Sequence, residues 1–102
     1  MRLLVFYDLP MNSKYYIKEY TNFRKSLLRA GYIMIQYSIY SKLCLNQDSA
    51  DRAIKRIEKE LPKFGNVRLL TITEKQYQKM KIMVGSKTFA EENQNDQRLV
   101  II

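Results

Sequence analysis

Near the start of the chain, five consecutive apolar or aromatic residues, Leu3-Leu4-Val5-Phe6-Tyr7, run into a carboxylate at Asp8 and a proline at Pro10. The run is too short to cross a membrane, and it does not alternate. Without alternation both side-chain faces need cover, so the pattern predicts a central strand buried on its two sides. Pro10 cannot continue such a strand and fixes its end. Asp8 is thereby set at the lip of the sheet, where a carboxylate either caps and pairs locally or holds a cation. The second alternative is the one adopted here, on the condition that the chain dimerises.

After Pro10, Asn12-Ser13 offers an N-cap, and a helix is expected to about Ala30, closed by Gly31. Its apolar side is Tyr16, Tyr20, Phe23 and Leu27, widened by Ile17 and Leu28, with Lys14, Lys18, Lys25 and Arg29 opposite. Arg24 falls at the edge of the apolar sector, a position that implies an anionic partner or a stem laid along the core. From Ile33 to Leu45 the period changes to two, which predicts one long strand. Ile33, Ile35, Tyr37 and Ile39 would face the helices, and Gln36, Ser38 and Tyr40 the other side. Asn46 to Ser49 reads as a turn, and a second helix runs to about Leu61, stopped by Pro62. Ala50, Ala53, Ile54, Ile57 and Leu61 make its buried side, and Arg52, Lys55, Arg56 and Lys59 gather opposite.

Val67 to Ile72 is a further apolar strand, and Thr73-x-x-Gln76 a capping-box pattern for a short helical turn. Lys81 to Val84 reads as a short strand before Gly85. Ser86 to Gln97 has little to bury and is expected to be mobile, whereas Leu99-Val100-Ile101-Ile102 looks like a strand that crosses to another chain. The fold class expected is α+β, a ferredoxin-like sheet with both helices on one face. Residues 1–84 would form the core and 85–102 a linker with a C-terminal strand. The opposite face of the sheet, carrying either Leu4 and Phe6 with Asp8 or Leu3, Val5 and Tyr7, is too apolar to stay wet, so a second subunit is expected there.

Composition narrows the chemistry. Eighteen Lys and Arg against ten Asp and Glu in 102 residues give a formal charge of +8, which attracts polyanions. Nucleic acid fits better than an anionic membrane, because the basic residues sit on segments whose other face is needed for the core. No stretch reaches about 18 apolar residues, and Arg2 with a five-residue run makes no signal peptide. Cys44, the single cysteine, has no partner for an internal disulfide, which fits a reducing cytoplasm. The chain has no histidine, which excludes imidazole acid–base chemistry and a zinc-finger ligand set. With only three glycines there is no Gly-rich phosphate loop. Any chemistry must run on carboxylates, Tyr, Ser, Lys, Arg or a hard metal.

Several stretches are familiar in this order: Tyr7-Asp8-Leu9-Pro10 after a first strand, a helix closing at Gly31-Tyr32, Gln36-Tyr37-Ser38-Ile39-Tyr40-Ser41-Lys42, and Thr73-Glu74-Lys75-Gln76-Tyr77. The chain resembles the smaller of the two universal CRISPR spacer-acquisition proteins, often called CRISPR-associated endoribonucleases, and looks most like members from type II systems. The resemblance implies a symmetric homodimer whose C-terminal strand, Leu99 to Ile102 here, adds to the partner's sheet. It implies a place at the centre of an integrase complex, flanked by two dimers of the larger acquisition protein and holding a duplex DNA spacer precursor. It puts the family's metal-site aspartate on Asp8, with Mg²⁺ as the cofactor. A two-fold axis near Asp8 would pair two carboxylates, enough for an ion that keeps several waters. Tyr7 and Ser38 are candidates to orient substrate, with packing and sheet hydrogen bonding as the structural alternative.

Two function classes follow. One is an adaptor that binds duplex DNA electrostatically, with Lys14, Lys18, Arg24, Lys25, Arg29, Arg52 and Arg56 as candidate phosphate contacts. The other is a metal-dependent endonuclease acting at Asp8, on RNA or DNA. A toxin-like ribonuclease dimer and an RNA-binding module are the alternatives, the last without the RNP pattern it would need.

Overall fold

A computed structural model describes residues 1–94. The elements are β1 (Arg2–Asp8), α1 (Lys14–Arg29), β2 (Ile33–Gln36), β3 (Ile39–Leu43), α2 (Gln47–Glu58), β4 (Asn66–Ile72) and α3 (Glu74–Gln78). Among the described residues the sheet has four strands in the order β2-β3-β1-β4, every neighbouring pair antiparallel. This is the βαββαβ arrangement of a ferredoxin-like fold, with β1 flanked on both sides as its unalternating sequence requires.

Leu3, Val5, Tyr7 and Tyr40 meet Phe23 and Leu27 of α1 and Ala50 and Ile57 of α2 in one core, so both helices lie on one face. Each fully buried Leu or Phe there contributes on the order of 2 kcal/mol by leaving water. Ser13 caps α1 by accepting a hydrogen bond from the Tyr16 amide, and Gly31 leaves the helix at φ +92°. Lys42 donates to the Ala30 carbonyl at 2.7 Å, placing a cation at the negative end of α1.

Four local expectations are corrected. The stretch from Ile33 to Leu45 is a hairpin rather than one strand, turning at Tyr37-Ser38 with Ser38 at φ +62° and a bulge between Met34 and Gln36. Strand register sets Ile33 and Ile39, expected toward the helices, on the face of Leu4 and Phe6, and Tyr40, expected on the polar face, is buried in the helix-side core. Ile17 and Leu28 stay exposed because Phe23 and Leu27 centre the buried stripe of α1 more narrowly than the pattern suggested. Helix α2 is capped by Asn46 and ends at Glu58, leaving Leu61 exposed, since the residue before Pro62 is turned away from helical geometry. Lys81 to Val84 forms no strand; residues 83–85 bend and are exposed.

The face of the sheet away from the helices carries Leu4, Phe6 and Asp8 by alternation, together with Arg2. Arg2 is 1% exposed. Its guanidinium grips Glu74 twice, at 2.8 and 3.0 Å, donates to Gln94 at 2.7 Å and lies 4.1 Å from the centre of the Tyr77 ring. The Tyr77 hydroxyl donates to Glu91 at 2.7 Å, which also accepts from the Thr88 amide, while the Thr88 hydroxyl donates to the Met34 carbonyl. Thr88 and Glu91 thus cap a helical turn at 89–94 within the stretch expected to be mobile. Residues 74–94 are strapped across this face, leaving a cavity of about 720 Å³ between the strap and Leu4, Phe6 and Ile39. The expected strand Leu99–Ile102 lies outside the described residues.

Substituting Arg2→Met removes the Arg2 hydrogen bonds to Glu74 and Gln94 and the contact with Tyr77, and losing charge-assisted hydrogen bonds costs about 1.5 to 3 kcal/mol. A urea titration should show that loss, and trypsin should cut faster at Lys79, Lys81 and Lys87. An unchanged midpoint with unchanged cleavage would contradict the strap.

Candidate nucleic-acid and metal site

The C-terminal end of β1 gathers the sequence-predicted chemistry. Asp8 is exposed on the last residue of the strand, directly across from Asn66 of β4. The β2–β3 turn reaches the same rim, because the Tyr7 amide donates to the Ser38 carbonyl at 3.1 Å. The loop before β4 closes the other side. There Gly65, at φ +90°, approaches so tightly that a Cβ would stand 2.6 Å from the Asp8 carbonyl oxygen and 2.6 Å from the Leu9 side chain. Only glycine satisfies both that torsion and that approach.

Tyr7 and Asp8 point to opposite sides of the sheet. Tyr7 is buried against Phe23, edge-on at 5.2 Å, with Tyr20 and Tyr40 around it. Its hydroxyl has no hydrogen-bond partner among the described residues, although the phenols of Tyr40 and Tyr20 lie near enough to bear on its ionisation. Burial, reinforced by Tyr40, pushes Tyr7 well above the ordinary phenol range, so it stays protonated and packs. Its backbone, rather than its ring, ties Ser38 to the Asp8 rim. Burial also pushes the Cys44 thiol up, consistent with a packing residue and not a nucleophile.

Lys14, Lys18, Arg24, Lys25, Arg29, Arg52 and Arg56 are all exposed, and none forms an ion pair among the described residues. Arg24 therefore lacks, among the described residues, the anionic partner its position suggested. All seven belong to the helix layer, and the length of α1 separates Lys14 and Lys18 near the Asp8 rim from Lys25 and Arg29 at the far end. Asp8 shares its own face instead with Asn66 and Arg68, which β1–β4 register puts opposite Asp8 and Phe6. Sequence reasoning missed both; the polar residues alternating with Val67 and Leu69 were the available signal. Among the described residues no three His, Cys, Asp or Glu cluster as a metal-ligand group, and Asp8 is the carboxylate that ends β1 at this rim. No helix among them is long and apolar enough to cross a membrane.

Substituting Gly65→Ala should lower stability by about 1 to 2 kcal/mol for the left-handed torsion alone, with the overlap on Asp8 added. Thermal unfolding, read beside the amide resonances of Asp8 and Leu9, checks this; an unchanged melt would show that the loop yields freely.

Comparison with known proteins adds the family. Residues 1–80 match the family described as CRISPR associated protein Cas2. A protein of Treponema denticola named CRISPR-associated endoribonuclease Cas2 is 48% identical over 103 residues, covering all of both chains. Proteins of the same name from Ligilactobacillus salivarius and Acidovorax ebreus are 43% and 44% identical over 101 residues, covering 99% of this chain and 100% and 99% of theirs.

Proposed function

The chain belongs to the CRISPR associated protein Cas2 family, and on that premise we propose that it acts in spacer acquisition as a symmetric homodimer. In that dimer it is both a metal-dependent phosphodiester endonuclease and a holder of duplex DNA. The observation that carries the reading is an exposed carboxylate at the end of a largely buried central strand, with no group of three metal-ligating residues among the described residues. It lies on a sheet face whose Phe6 and Ile39 remain only half-covered. A second copy against that face, related by a two-fold axis near Asp8, supplies the other carboxylate and covers the apolar residues.

Two Asp8 side chains suit Mg²⁺, which takes one or two carboxylates and keeps its remaining waters. When bound, the ion supplies Lewis-acid polarisation of a phosphate and a more acidic water. Within the chain, Gly65 and the Tyr7 amide fix the backbone around Asp8, and Ser38 at the same rim orients substrate. Tyr7 contributes by packing the strand beneath. The relatives' name, endoribonuclease, supports RNA as the polymer cleaved.

The helix-layer cations serve the second role. Lys14, Lys18, Arg24, Lys25, Arg29, Arg52 and Arg56 neutralise phosphates along a duplex and carry no base readout. Lys25 and Arg29 lie at the far end of α1 from Asp8, so a duplex held there stays clear of the cleavage site. Leu99 to Ile102 add a strand to the partner, and two dimers of the larger acquisition protein flank the whole.

In solution the purified chain should show twice its monomer mass. Asp8→Asn should cut Mg²⁺-dependent ribonuclease activity by at least about 100-fold, more than outer-sphere substitutions cost, with the mass unchanged. A monomer in dilute buffer, or full activity in the variant, overturns the shared site. For duplex DNA, Arg52→Ala should reduce the slope of log affinity against log salt by about one. A slope identical to that of the native chain removes Arg52 from the interface.

A further inference from the structure

Beside the Asp8 rim lies an aromatic group that neither role above uses. Phe64 stands edge-on to Tyr15 at 6.1 Å and to Tyr16 at 5.4 Å. Tyr15 is 49% exposed and Phe64 47% exposed, so both rings offer a face to solvent. Phe64 immediately precedes Gly65, the residue that packs on the Asp8 carbonyl. The surrounding charge is mostly positive: Lys14, Lys18 and Lys63 are exposed and form no ion pair among the described residues, while Glu19, one turn beyond Tyr15, is half-buried.

Half-exposed rings with a ring of lysines poorly match the apolar centre of a protein interface, from which Lys is depleted. They do match a nucleotide, whose base offers a π-face and whose phosphate needs a cation. Bases in a duplex are already stacked, so only unpaired bases can use such a surface. We propose that Tyr15 and Phe64 form a stacking platform for an unpaired base of single-stranded RNA, whose backbone then passes the neighbouring Asp8. The lysines hold the phosphates, and the platform sets which strand, and which nucleotide along it, reaches the rim. The inference deepens the ribonuclease reading and rests on it for the identity of the polymer.

The test is binding of a fluorescent single-stranded oligoribonucleotide in the presence of a chelator, so that cleavage through Asp8 does not enter the measurement. Tyr15→Leu and Phe64→Leu keep apolar bulk but lose the ring face, and each should weaken binding about tenfold. Tyr15→Phe should bind as the native chain does. The same Leu substitutions should leave affinity for the paired duplex, and for an abasic ribose-phosphate oligomer, unchanged. Matching thermal midpoints confirm that the variants are folded. Equal affinity of native and Leu variants for the single strand overturns the proposal, as does an equal loss on the abasic oligomer, or a loss seen with single-stranded DNA and not with RNA. Ribonuclease assay of Asp8→Asn stands apart from all of these, so the platform and the Asp8 reading can fail separately.

Discussion

Strand β1 pairs with β3 on one side and β4 on the other, so its backbone groups are satisfied and both side-chain faces must be covered by something else. On one face the two helices provide that cover, through Phe23, Leu27, Ala50 and Ile57. On the other face the described residues offer only the strap that the chain folds back, with α3 and the helical turn at 89–94. The strap of residues 74–94 follows from that asymmetry, and so does the cavity it leaves over Leu4 and Phe6. A ferredoxin-like sheet with one open face has to cover the apolar residues of that face or associate.

The strap is anchored by charge rather than by apolar area. Arg2 and Glu74 make an ion pair 72 positions apart in the chain, and Gln94 and Tyr77 satisfy the rest of the guanidinium and its flat face. Such a buried pair contributes little net stability against an apolar substitute, but its geometry admits one docking position. Tyr77, Glu91, Thr88 and Met34 extend the same chain of hydrogen bonds to the edge strand β2. Most of the strap's apolar side chains, Met80, Ile82, Met83, Val84 and Phe89, stay exposed, so these polar contacts hold it in place. The exposed Met83 and Val84 between the anchors are left for another surface to cover.

The two ends of β1 carry opposite charges and opposite kinds of surroundings. Arg2 at one end is buried and fully engaged, while Asp8 at the other is exposed. Gly65 and the Tyr7 amide shape the backbone around Asp8, and no three metal-ligating residues cluster there among the described residues. The separation of the helix-borne cations from the Asp8 face means that polymer binding and cleavage would use different sides of one small domain. The aromatic pair at the rim is the exception, joining a basic surface to the carboxylate's loop.

Much of this was legible in local sequence. An unalternating run closed by Asp8 and Pro10 had to be a central strand; Ser13 and Gly31 bounded the first helix, and Thr73 with Gln76 formed the capping box their spacing announced. The absence of histidine and the excess of Lys and Arg limited the chemistry before any fold was known. What local pattern failed to reveal depended on reversal or distance. Alternation runs on through the Tyr37-Ser38 turn, which has no Gly, Asn or Pro to mark it, so the hairpin and the burial of Tyr40 emerged only from strand pairing. Nothing local marks Arg2 as an anchor, because its partners at Glu74 and Gln94 lie far along the chain. Nor does local pattern bring Phe64 against Tyr15; the fold does. Periodicity reports which side of its own element a residue occupies; only the packing of elements decides what stands on that side.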